Sequence, residues 1–145
     1  FPPTIMKTSY QIALAIGSFA FSSLAAIAAE EPVTITELSR RDHPDLPDKD
    51  ILVKRIVLQP GASAPPHIHP GAVTGYVQEG SLEFQLKDGP LLKLKAGDTF
   101  FEPAGSHHMV AKNTDDKTKV TIIAFVINPK GAPLSTPIEG HDKPH

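Results

Sequence analysis

The stretch Gly97-Asp98-Thr99-Phe100-Phe101-Glu102-Pro103-Ala104-Gly105-Ser106-His107-His108 decides how the chain folds. Ala96-Gly97-Asp98 has turn chemistry, Thr99 to Glu102 is a short run suited to a strand, and Pro103-Ala104-Gly105 is a second turn that delivers a histidine to the next strand. Turn, short strand and turn is the grain of an antiparallel sheet. Upstream, His67-Ile68-His69 follows Pro65-Pro66 at the start of another strand, and a spacing of two puts both imidazoles on one face. Such a pair can hold a metal ion, although two surface histidines flanking an isoleucine look the same in sequence.

The flanking sequence carries the same grain. Val33–Leu38 alternates with period two and Ile51–Leu58 is rich in branched residues, with a polar loop from Arg41 to Asp50 between them. Further strands are predicted at Thr74–Gln78, Leu82–Leu86, Leu91–Lys95, Thr99–Glu102, His107–Lys112 and Lys119–Ile127. They are divided by Glu79-Gly80-Ser81, Asp88-Gly89-Pro90 and Asn113–Asp116 as well as by the turns around Gly97 and Gly105. Many short strands without an amphipathic helix mean an all-β sandwich or barrel. The 145 residues hold 14 basic against 16 acidic side chains, a balance that argues against nucleic acid or an anionic membrane as the main partner. The absence of Cys excludes disulfides, thiolate metal sites and cysteine nucleophiles. Gly-x-Ser-x-Gly, phosphate-cradling loops and His-Glu-x-x-His are also missing.

Residues 1–29 read as an upstream extension and a secretory signal peptide: Met6-Lys7, an apolar stretch from Ile12, and the small-residue run Ala25–Ala29 before Glu30-Glu31-Pro32. The expected organisation is that leader, a barrel over 30–127, and a Pro-rich C-terminal arm over 128–145, in a periplasmic or secreted protein.

Together the two histidine stretches resemble the cupin superfamily. Its first motif is Gly, five residues, His-x-His, three or four residues, Glu, six residues, Gly, and here Gly61, His67, His69 and Gly80 fall on it. Its second, Gly, five residues, Pro-x-Gly, two residues, His, matches Gly97, Pro103, Gly105 and His108 without a gap. The resemblance implies a double-stranded β-helix, or jelly-roll barrel. It also implies one divalent metal ion, Fe, Mn, Ni, Cu or Zn, held inside the barrel by His67, His69 and His108. Counting back from Gly80 puts Val73 where the family has its glutamate, and no carboxylate lies between His69 and Glu79. The site is then either decayed, or a neutral three-histidine centre with open coordination positions. The closing Asn of the second motif is shifted as well, the nearest amide being Asn113.

Glu102 is the leading replacement carboxylate, as a metal ligand, a group orienting a histidine, or a general base; an exposed strand-end acid is the alternative. The turn after it breaks the parity argument, so the sequence does not say which face it shares with His108. Gln59 and Gln78 are weaker alternatives, and His107, His43, His141 and His145 are expected to be solvated. Two functions follow: a metal-dependent enzyme of dioxygenase type acting on a small organic substrate, or a non-enzymatic module binding a metal or small ligand. A homodimer is expected through the outer face of Val120–Ile127, which is apolar on both parities.

Overall fold

The computed structural model describes residues 29–138, so the expected leader and the residues after 138 lie outside the description. Eleven strands follow one another: β1 Val33–Asp42, β2 Lys49–Leu58, β3 Ser63–Ala64, β4 His67–Ile68, β5 Ala72–Glu79, β6 Ser81–Leu86, β7 Leu92–Lys95, β8 Thr99–Glu102, β9 His107–Asn113, β10 Val120–Pro129 and β11 Thr136–Pro137. They form two antiparallel sheets, ordered β1-β2-β10-β5-β8 and β11-β4-β9-β6-β7, with β3 added to β9. Among the described residues there is no helix. The jelly-roll expectation holds.

Period-two alternation builds the core. β5 turns Val73, Gly75 and Val77 inward, β10 turns Val120, Ile122, Ala124 and Val126 inward, and these pack with Leu52, Leu58, Leu82, Phe84 and Phe100. Gly75 is required by this packing: a Cβ there would lie 2.0 Å from Cζ of Phe100, whose ring crosses the β5 backbone. Asn113 is fully buried and its amide donates to the carbonyls of Leu58, Gln59 and Thr118, tying the end of β2 to the turn before β10.

Two segments run further than their sequence patterns indicate. β1 continues to Asp42 because a bulge between Glu37 and Ser39 resets the pairing with β2. Past the bulge, Arg40 reaches both Glu37 and Asp50. β10 runs to Pro129, and after Gly131, at φ 74°, the chain returns so that Thr136–Pro137 pairs with Ile68–His67. Proline is compatible with that position because β11 is an edge strand. The outer face of β10 is apolar and open: Phe125 is 49% and Phe101 58% exposed, and both stand across from Thr74.

Candidate metal centre

Three strand ends deliver the cluster. His67 on β4 is the register partner of His108 on β9, and His69 follows two residues on, as the spacing of two requires. Glu102 closes β8. One donor atom from each of His67, His69, Glu102 and His108 falls within 4.8 Å of all the others. His67 Nε2 lies 3.0 Å from His69 Nε2, Glu102 Oε2 lies 3.3 Å from His108 Nδ1, and His69 Nε2 lies 3.8 Å from Glu102 Oε2. Glu102 is 2% and His108 5% exposed, so both are buried away from the outer surface.

Backbone carbonyls fix which ring nitrogens are free. His67 Nδ1 donates to Pro65 O at 2.7 Å, His69 Nδ1 to Leu134 O at 2.8 Å, and His108 Nε2 to Val110 O at 2.9 Å. A carbonyl can only accept, so each of these nitrogens carries a proton. The opposite nitrogens of neutral rings are therefore bare, and they are the three that converge. A proton or a cation is needed between the facing Nε2 atoms of His67 and His69. Glu102 Oε2 and His108 Nδ1 are buried without a hydrogen-bond partner. Outer nitrogens held by carbonyls with inner nitrogens aimed at one point is the arrangement that orients histidines toward a metal.

The electrostatics agree. Burial pushes the Glu102 carboxyl up to about 7, and burial, followed by the nearby His67, holds His108 down at about 3. Burial also lowers His69, against the opposing effect of its bond to Leu134 O. Neutral imidazoles are the form that binds a metal, and an uncompensated carboxyl lacks only a cation. Three nitrogens and one oxygen fit a divalent transition metal of the Mn-to-Zn series.

Val73 is 3% exposed, lines the cavity beside the cluster and is the register partner of Glu102. Position 73 therefore does face the site, and a carboxylate stands directly across from it on the neighbouring strand. Gln59 and Gln78 are absent from the cavity wall, and His43 accepts backbone N–H bonds from Asp45 and Leu46 in its own loop. His107 stands next to His108 on β9 and is likewise absent from the cavity wall. His141 and His145 lie outside the described residues. The cavity measures about 380 Å³ and its walls are mainly aliphatic. Two features of it escaped the sequence reading: the Leu134 carbonyl, 65 residues from the histidine it holds, and Lys54 in the wall.

A barrel of two antiparallel sheets with an inward His/His/His/Glu cluster defines a class of small β-barrels with a donor set that could hold a metal ion. The chain belongs to the cupins: the cupin domain family matches residues 54–126, half of the chain. Oxalate oxidase GF-2.8 of Triticum aestivum is 27% identical over 143 residues, which cover 83% of this chain and 64% of that protein. The chain thus spans less than two thirds of that relative's length. A solved recombinant oxalate oxidase in complex with glycolate is similar at 26% identity and TM-score 0.53, covering 70% of this chain and 55% of its own. A cupin-like protein from Thermotoga maritima, 23% identical with TM-score 0.58 over 73% of this chain and 75% of that one, shares the fold.

Proposed function

We propose that the chain is a metal-dependent oxidoreductase acting on a small organic substrate, with His67, His69, His108 and Glu102 as the metal-holding set. The observation that carries this reading is the convergence of three bare imidazole nitrogens on a buried carboxylate, each ring fixed from behind by a backbone carbonyl. The similarity to oxalate oxidases supports the reaction class. A divalent ion bound here would supply Lewis acidity and, for a redox-active metal, electron transfer. The chain's own part is orientation. Backbone carbonyls lock the rings, so a substrate meets a fixed set of donors. Aliphatic side chains from β2 and β10 line the rest of the cavity and give a substrate an apolar bed. Glu102 is the acid among the lining residues, and beside a bound cation its Oε2 would be held as the carboxylate that completes the donor set.

The test is metal analysis of the purified protein, then oxygen uptake with the Fe, Mn, Ni, Cu and Zn forms against oxalate, glycolate, enols and catechols. Uptake with one metal form that disappears in His108→Ala is the expected result. Stoichiometric metal without turnover on any of these classes would favour the non-enzymatic binding module instead.

Two further parts of the reading rest on other features. Export is supported by the leader-like composition of residues 1–29. A homodimer is supported by the apolar outer face around Phe101, Phe125 and Ile127, all exposed in a single chain. Sedimentation at micromolar concentration giving twice the chain mass, and the chain mass for Phe125→Ser, is expected; a monomer for the parent protein would reject the dimer.

A further inference from the structure

Lys54 is out of place among its neighbours. The inward column of β2 near the cavity reads Leu52, Lys54, Ile56, Leu58, and Lys54 is as buried as the core at 8% exposure. Its ammonium donates to Glu37 Oε2. Pairing with Glu37 is a poor reason for a lysine here, because an apolar side chain of similar size would avoid desolvating a charge altogether. Glu37 does not depend on Lys54 either: Arg40 grips both of its oxygens at 3.0 Å. An ammonium has three protons to donate, and Lys54 borders the same cavity as the histidine cluster.

The sheet between the two polar ends is unusually bare. From β1 to β8 the inward row reads Glu37, Lys54, Ala124, Gly75, Phe100. Its middle residues are among the smallest available, and the Phe100 ring folds over Gly75 to form an apolar floor. One row along, Glu102 occupies the β8 position, so the backbones of Lys54 and Glu102 are three strand spacings and one two-residue row apart, roughly 16 Å across the sheet. A cation at one end, metal ligands at the other and an apolar floor between them fit a ligand with a negative head, a hydrocarbon body and a reactive far end.

We propose that Lys54 anchors the carboxylate of an elongated, mainly apolar organic anion whose other end reaches the histidine cluster. Glu37 holds the ammonium when the cavity is empty and competes with the ligand for it. The far end of this proposal rests on the metal-site reading above, whereas the anchoring by Lys54 does not require a metal.

The experiment measures hexanoate and its neutral isostere hexanamide by calorimetric titration, on metal-loaded and chelator-stripped protein alike. The expected result is at least ten-fold tighter binding of hexanoate than of hexanamide in both forms. Lys54→Met removes that preference without changing metal content, and Lys54→Arg keeps it. Glu37→Gln, at an exposed position that leaves the core untouched, strengthens hexanoate binding several-fold by removing the competitor. A preference that survives Lys54→Met but vanishes on metal stripping would show that the metal alone takes the carboxylate and would overturn the proposal. Equal binding of acid and amide by the parent protein, no binding of either, or no gain in Glu37→Gln would also overturn it. Failure of the metal reading has a different signature, namely no metal uptake with the Lys54-dependent preference intact.

Discussion

Glu37 and Glu102 are both glutamates on the inner faces of strands of the same sheet, and their surroundings move them in opposite directions. Arg40 and then Lys54 hold the Glu37 carboxyl down at about 2, whereas burial drives Glu102 up to about 7 with no cation nearby to offset it. Around Glu37 every charge has its partner: Arg40 also meets Asp50 at 2.9 Å, and Lys130 meets Asp42 at 2.9 Å. Around Glu102 the neighbours are three imidazoles whose own protons point away. The charges of the first region are paired within the protein, and Lys54 is the member that also borders the cavity. The second gathers three bare nitrogens and a buried carboxylate with no basic side chain among them, a donor set suited to a cation.

Removing a histidine tests the second region most severely. His67→Ala, His69→Ala or His108→Ala should each weaken metal binding by a factor of about one hundred or more while leaving a folded barrel, because the remaining core is apolar. Metal analysis after dialysis, with circular dichroism as the fold control, checks this; parent-like occupancy in all three would dissolve the contrast with Glu37.

Glu102→Gln should act in two directions. In the metal-free protein the raised pKa of Glu102 gives stability that is complete below about 4.5 and lost as pH rises through about 7. His108 has the opposite sign: lowered to about 3, it contributes fully above 6.5 and loses that contribution as pH falls. Between about 4.5 and 6.5 the two oppose each other, and on the alkaline side the Glu102 cost stands alone. Metal-free Glu102→Gln should therefore be more stable than the parent at about pH 8, by an amount on the order of 3 kcal/mol, and nearly equal to it below about pH 4.5. Metal should reverse the order, stabilising the parent more than the variant. Denaturant titrations with and without a chelator measure both.

Val73→Glu adds a carboxylate directly across from Glu102. Metal occupancy should stay level or rise while turnover falls, since the new group fills a position a substrate needs. Unchanged metal content together with unchanged turnover would show that residue 73 does not act on the site. The smallest effect on metal is expected at Glu37. Glu37→Gln takes the counter-charge from the buried Lys54 but keeps an oxygen that can accept its proton, so metal content should match the parent and the melting temperature should fall only slightly. A large loss there would mean that the β1–β2 ion pairs support the site.

The sequence disclosed the three histidines because their spacing couples strand parity to two turns rich in Gly and Pro, and both features are local. The position of Glu102 was hidden by the turn at Pro103–Gly105, which interrupts parity, and it takes the β5–β8 register to show that Glu102 faces Val73. The carbonyls behind the rings carry no side-chain signal at all; the one at Leu134 reaches His69 only because β10 turns back at Gly131. The barrel's end was read at 127, since Pro129 resembles a stop, yet Pro129 still pairs with Lys49 beyond the last β5 partner of β10, and Pro137 lies on the edge strand β11, where a missing N–H costs nothing. Lys54 was counted within a branched run, and its inward parity emerges only from the alternation of burial along β2.

The most direct test of the metal centre is X-ray absorption on the remetallated parent protein, together with the metal-to-chain ratio. One ion per chain is predicted, with three imidazole nitrogens and at least one oxygen at ~2.0–2.2 Å, and with one imidazole lost from the spectrum of His69→Ala. A ratio well below one, or a shell of oxygens with no imidazole scattering, would contradict the account.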